Sequence, residues 1–522
     1  MMARAKATAG GLAHLRRAAM LAVATCALSA CMVGPDFTQP TGPGVSGYVP
    51  GRLVTSSTAD GKTQHLAQGR DIPGEWWRLF RSKALNTLVS RAIADNADLK
   101  AAQAALRGAQ ANVQAQRGAF FPQVSANYNP VRQKVSIDPL VPSTPGGFNQ
   151  PYYTTQSAQL IVGFVPDVFG GIRRQVENLE AVTENQRFQL EATYLTLTSN
   201  LAVNAVQEAT LRAQVDATKT LIKLSKEFLD LTKKSYNLGQ LTQLDVATQE
   251  AALAQYEQAL PPLEKQIAIN RDQLIALTGH FPGEGADERF EFASMHLPTD
   301  LPLSLPSDIV KQRPDVRAAE ANMHAASAAV GVSIANRLPQ FNISGNVGGQ
   351  SAILGSALSL ANPYFFWTIA GNATQVLFDG FTLEQKQRAA EAGLDQAAAQ
   401  YKSAVVVGMQ NVADSLQALH YDTKTLNAAI LGERAAKKAL DLTKKQLELG
   451  QIASLQVLSA QQTYFTALLA VVQARGARYS DTVALYQSLG GGWWNRSDVP
   501  VDEQGHSLWD HLRITRTADS AK

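Results

Sequence analysis

The chain has 522 residues, 17% charged and 45% hydrophobic, with 47 Lys and Arg against 44 Asp and Glu. Four of the bases, Arg4, Lys6, Arg16 and Arg17, lie in the first thirty positions, which hold no acid, so without that segment the net charge falls from +3 to −1. A near-neutral body without a basic stripe excludes nucleic acid as a partner, and two cysteines, Cys26 and Cys31, exclude a disulfide framework.

The first element is an export signal over residues 1–30: basic residues, an apolar stretch from Ala18 to Ala30, and small residues before the cut. Its ending, Leu28-Ser29-Ala30-Cys31, resembles the bacterial lipobox. That resemblance implies that Cys31 becomes the first mature residue and carries a diacylglycerol and an N-acyl chain. Cys26 leaves with the signal, and Met32, which is not Asp, points to the outer membrane. Residues 31–82 then read as an anchored, extended segment. No apolar run after residue 31 reaches the ~18 residues of a spanning helix, so a membrane crossing would use strands.

Residues 83–279 form a first unit. A helix containing Asp98-Leu-Lys-Ala-Ala-Gln-Ala104 precedes two strand-like runs, about 123–133 and 154–165, in which apolar and polar residues alternate. Between Gly171 and Gly239 there is neither Gly nor Pro, and these 67 residues favour helix. Such a helix would be about 100 Å long. Leu221, Leu224, Phe228 and Leu231 recur at the spacing of a buried seam. After Gly239-Gln240 a second helical run goes from Thr242 past Pro261 to Gly279.

A linker, 280–306, leads to a second unit over 307–490. Asp315-Val-Arg-Ala-Ala-Glu-Ala321 repeats the first helix, and Pro339-Gln340 repeats Pro122-Gln123. Strands are expected at about 340–351 and 364–378, and a long helix from Phe381 to Leu449. Residues 442–457 match 231–246 at nine of sixteen positions, 211 residues later, and Gly450-Gln451 stands where Gly239-Gln240 does. The chain is therefore two copies of one unit. Each carries a hairpin of long helices with Gly at its tip, where positive φ ends a helix. One unbroken coiled coil would not need a Gly at the matched place twice. Segments 32–80 and 281–306, with the tail 491–522, read as irregular wrapping.

Strands of this length with one polar and one apolar face suit a membrane barrel. Tyr152, Tyr153, Phe169, Tyr364, Phe365, Trp367 and Phe378 could ring its ends. Four strands cannot close, and an open sheet in lipid leaves edge groups unsatisfied, so several chains would share one barrel. A soluble four-stranded sheet packed on helices is the alternative.

The chain resembles the TolC-type outer-membrane efflux proteins, in the lipoprotein branch that includes OprM and NodT. The resemblance rests on Cys31-Met-Val-Gly-Pro-Asp36, Trp76-Trp77-Arg-Leu-Phe80, Arg313-Pro-Asp-Val-Arg-Ala-Ala-Glu320, Leu338-Pro-Gln340, Leu377-Phe-Asp-Gly380, both Gly-Gln tips and Leu489-Gly-Gly-Gly-Trp493. It implies a mainly α fold with a small β portion. Three copies would form a homotrimer with a twelve-stranded outer-membrane β-barrel, four strands per chain, continued by a periplasmic α-helical coiled-coil barrel.

The resemblance also implies an exit duct for drugs or other small toxic molecules. An inner-membrane pump, of the resistance-nodulation-division type, would feed it through a periplasmic adaptor. The tips, with Gly239, Gln240, Gly450 and Gln451, would dock the adaptor and close the entrance. Asp245, Gln456 and Ser459 would be the gate, with an acid in the first copy only; an acid in a helix's first turn is also what the dipole favours. Lys233-Lys234 and Lys444-Lys445 read as solvated helix faces. Alternatives are a protein-secretion duct or a non-transporting coiled-coil lipoprotein. Scattered histidines, with His506 and His511 the one close pair, support neither enzyme chemistry nor a metal, and no cofactor is expected.

Overall fold

The computed structural model describes residues 32–42, 44–45, 47–49, 56–134, 152–285, 288–359 and 365–496. The signal, Cys31, Tyr364 and the tail with His506 and His511 lie outside them. In chain order the described elements are β1 (Ser56–Ala59), β2 (Lys62–Gln68), α1 (Lys83–Asp95), α2 (Ala97–Arg117), β3 (Gln123–Lys134), β4 (Tyr152–Phe164), α3 (Gly171–Asn237) and α4 (Gln243–Leu277). There follow β5 (Asp300–Leu303), α5 (Pro306–Gln312), α6 (Pro314–Ala335), β6 (Gln340–Ser351), α7 (Leu354–Ala357), β7 (Phe365–Thr374), α8 (Thr382–Glu448) and α9 (Ser454–Ser488). Both long helices have 67 residues and both return helices 35. The chain divides into two compact units.

The first unit holds Met1–Pro40, Ala104–Arg187 and Ala318–Lys402. At its centre is an antiparallel sheet in the order β3-β4-β6-β7. Because side chains alternate along a strand, Val124, Leu160, Val347 and Trp367 fall on one face. Asn127, Asn346 and Thr368 fall on the other. The apolar face is open, with Val124, Trp367 and Ile369 each about two-thirds or more exposed. Such a surface needs an apolar surround.

Each long helix starts on a carboxylate. Asp167 accepts from the N–H groups of Ile172 (2.8 Å) and Arg173 (3.0 Å), and Asp379 from those of Thr382 (3.1 Å) and Leu383 (2.8 Å). The described part of β7 ends at Thr374, four residues before the sequence expectation. Val376, Leu377 and Phe378 form an exposed apolar segment ahead of the Asp379 cap.

Arg174, fully buried, holds residues 33–36 in place. Its guanidinium donates to the carbonyls of Val33 (3.0 Å) and Gly34 (3.2 Å), to Asp36 (2.7 Å) and to Glu177 (2.7 Å). Phe37 stacks on His324 at 4.4 Å.

The second unit holds Thr41–Gln103, Phe188–Arg317 and Ser403–Lys522. Its core gathers Trp76, Trp77, Phe80, Leu85, Leu201 and Tyr486, with Trp76 stacked on Tyr486 at 5.4 Å. Burial at this density supplies most of the stability of such a unit. The segments expected to be irregular are in part ordered here as a three-stranded sheet, β1-β2-β5, in which β2 and β5 run parallel. Fully buried Arg478 holds that sheet to α9 through Gln64 Oε1 (2.9 Å) and the carbonyls of Ala59 (3.0 Å) and Lys62 (3.2 Å).

Arg313 forks onto Asp315 (3.0 and 2.6 Å) and donates to the Ser488 carbonyl, so the Arg-Pro-Asp motif ties the start of α6 to the end of α9. Helix α9 is long and apolar enough to cross a membrane by length and composition, against the sequence expectation of no such helix. Val457, Tyr464, Val483 and Leu485 on it are buried against other parts of the chain.

Candidate gate and docking site at the hairpin tips

The two tips are built alike. Helix α3 ends on Gly239 at φ +75°, whose N–H donates to the Tyr236 carbonyl (2.8 Å) while that of Gln240 donates to Ser235 (2.9 Å). Helix α8 ends on Gly450 at φ +68°, with Gly450 donating to Leu447 (2.8 Å) and Gln451 to Gln446 (2.9 Å). This is the paired Schellman closure of a helix C-terminus, which needs a left-handed residue at that place. A Cβ on either Gly would meet no neighbour within 4 Å, so within one chain the demand is conformational, not steric.

The returns differ. Thr242 caps α4: its hydroxyl accepts from Asp245 N–H (3.3 Å), and Asp245 Oδ2 accepts from Thr242 N–H (2.9 Å) and from its hydroxyl (2.7 Å). This reciprocal box satisfies two helix-end donors. In the second copy the cap is Ala453, whose side chain offers no oxygen. Asp245 instead reaches across, because Ser454 Oγ at the second tip donates to its other oxygen. Hydrogen bonds from Ser454 and then Thr242 hold the Asp245 carboxyl below its ordinary pKa. One carboxylate thus caps its own helix and joins the two hairpins. Gln456 and Ser459 are exposed on α9, with the Ser459 carbonyl accepting from Thr463 Oγ1 (2.9 Å). The sequence reading missed Ser454, which aligns with Gln243 and stands out only when the tips are seen side by side.

Behind the tips the copies diverge further. In the first hairpin, Lys233 pairs with Glu250 (2.8 Å), Lys226 with Glu257 (2.8 Å) and Lys219 with Glu264 (3.9 Å), one pair every seventh residue. The Lys233 face is therefore paired across the hairpin. In the second hairpin the places of the three acids are taken by Gln461, Leu468 and Arg475. Lys444 lies over the Phe228 ring at 5.7 Å, and Gln461 is buried with neither amide atom partnered. An orphaned buried amide costs about 1–3 kcal/mol, as does the orphaned Tyr256 hydroxyl in the first hairpin. The copies therefore differ in the three cross-hairpin ion pairs of the first, which leave the second hairpin the less braced.

Leu221, Phe228, Tyr256, Leu440, Val457 and Tyr464 form the core under the tips. Leu231, expected in that seam, is half exposed, like its counterpart Leu442. Beyond them Leu238, Leu244, Leu449 and Leu455 stand at matched positions, each 66–75% exposed. Four aligned leucines in water form a surface suited to another protein. Among the described residues no three His, Cys, Asp or Glu side chains gather as metal ligands would.

A family model described as outer membrane efflux protein matches residues 88–280 and 305–491. The chain is similar to the pyoverdine export outer membrane protein OpmQ of Pseudomonas aeruginosa, 28% identical over 457 residues, covering 86% of this chain and 94% of that one. It is also similar to the toluene efflux pump outer membrane protein TtgC of Pseudomonas putida, 25% identical over 478 residues, covering 91% and 96%. In fold it matches the outer-membrane channel OprN with a TM-score of 0.79 at 24% identity, over 89% of this chain and all of that one.

Proposed function

Since the chain belongs to the outer membrane efflux protein family, we propose that three copies form the exit duct of a tripartite efflux pump. The observation that carries this reading is the four-stranded sheet, open at β3 and β7 and apolar on one face. In lipid every unpaired edge group costs several kcal/mol, so the sheet must close with others like it, and three sheets give twelve strands. Small neutral groups such as Asn127, Asn346 and Thr368 would line the bore, a lining that selects no particular cargo. Pyoverdine and toluene in the relatives' names agree with a duct whose pump chooses the small molecule. Acyl chains on Cys31 would anchor it, and the chain performs no catalysis of its own.

The tips serve as the periplasmic entrance. Gly239-Gln240 and Gly450-Gln451, with the exposed leucines beside them, receive an adaptor's helices. Asp245, Gln456 and Ser459 line the gate, which the Asp245–Ser454 bond holds shut. Opening swings out the less braced second hairpin, a switch between two packings. Planar-bilayer recording and native mass measurement test the duct: three-copy particles that insert discrete pores are expected. A helical monomer that conducts nothing overturns the reading.

A further inference from the structure

We infer that β7 of one copy pairs antiparallel with β3 of the next in one fixed register, in which Asn372 faces Asn129. The inference rests on the three-copy duct proposed above and deepens it by naming the seam.

The duplication supplies the template. Strands β3 and β6 are each twelve residues long and each begin at the Gln of a Pro-Gln, so Gln123 and Gln340 are counterparts. Gln123 faces Gly163, and Gln340 faces Thr374, so Gly163 and Thr374 are counterparts too. That second correspondence is 211 residues, the same as between the helix tips. The β4–β6 joint therefore shows how the second strand of one repeat meets the first strand of the next. There Ile161 faces Asn346. The counterpart of Ile161 is Asn372, since Ile161 faces Ser125 and Asn372 faces Asn342. The counterpart of Asn346 is Asn129. Carried to the open edges, the joint sets Asn372 of one copy opposite Asn129 of the next.

Two observations outside the template agree. A shift by one residue would turn the apolar face of one strand into the bore, whereas this register keeps Gly371 and Ala373 on the face of Tyr128 and Pro130. Past the end of β7 the exposed Val376-Leu377-Phe378 segment is led toward the seam, where Val124 is 66% exposed. The strand directions also alternate without conflict, because β3 and β7 are antiparallel at the ends of a four-strand sheet.

Cysteine pairs test it in the full-length protein in its membrane. Facing Cα atoms lie 4.5–5.5 Å apart, within disulfide reach, whereas a slip of two residues adds ~7 Å along the strand and exceeds it. The pairs Asn372→Cys with Asn129→Cys, and Thr374→Cys with Asn127→Cys, should oxidise to linked dimers and trimers on denaturing gels. Single variants, and Asn372→Cys with Asn127→Cys or Val131→Cys, should give less than a tenth of that yield. Linkage through Asn127 or Val131 in place of Asn129 overturns the register while leaving the duct intact. Particles of three copies that link in none of these pairs overturn the seam. A monomer by native mass overturns the duct reading itself.

Discussion

Replacing Ser454 by Ala removes one hydrogen bond, from Ser454 Oγ to Asp245 Oδ1, and leaves the Thr242 box on α4 untouched. A bond to a carboxylate at an exposed site stands near the low end of the charged range, about 1.5 kcal/mol. That is slightly more than tenfold in a closed-to-open equilibrium for each copy. Asp245→Ala should open the channel as much and destabilise α4 by about 1 kcal/mol besides, since it also breaks the cap. Thr242→Ala should cost the helix about the same and leave gating unchanged. Adding Asp245→Ala to Ser454→Ala should raise open probability no further, because both act through one bond. Single-channel recording at neutral pH is the assay. The lowered pKa places the bond's contribution above the ordinary carboxylate range, and it is lost only as pH falls through the lowered value. An open probability within twofold of the unsubstituted protein for Ser454→Ala, or full additivity in the double variant, refutes the clasp.

Asp422 and Asp481 face each other between α8 and α9, and burial with the neighbouring carboxyl raises Asp422 to about 7 in spite of Arg478. A raised carboxyl costs stability once the unfolded chain ionises, so the penalty is absent at pH 3 and complete above pH 7. Asp422→Asn should therefore raise the melting temperature at pH 8 and not at pH 3; an equal shift at both values would refute this. Arg174→Met should cost about 3 kcal/mol by stranding the Val33 and Gly34 carbonyls and leaving Glu177 with His324 Nε2 alone. Limited proteolysis should then cut residues 33–37 faster, and an unchanged rate would dismiss the latch.

Elements whose cause is local could be read from the chain. The first long helix follows from 67 residues without Gly or Pro, the second from a run without Pro between Pro363 and Pro500, and the tips from a Gly-Gln repeated at one spacing. The three-stranded sheet escaped because β1 and β5 have four residues each, and β2 pairs with β5 across more than two hundred residues. No alternation over so short a run signals such a partner. At the site, Asp245 was legible as an acid where the copies differ. Its role in joining the tips was not, because Ser454 reaches it through packing and not through spacing. The apolar run Val376-Leu377-Phe378 lengthened the expected last strand, since an exposed apolar segment and a strand look alike in sequence.

The Lys-Glu pairs kept in one hairpin and replaced in the other divide stiffness unevenly. In a ring of three such chains, rigid and compliant staves would alternate. A ring of six equal staves dilates as an iris does, through every joint at once. One with three yielding staves widens at three places and keeps a fixed frame between them, so its aperture grows trefoil in outline. The rigid staves would meanwhile hold a constant spacing for the proposed adaptor to rest on.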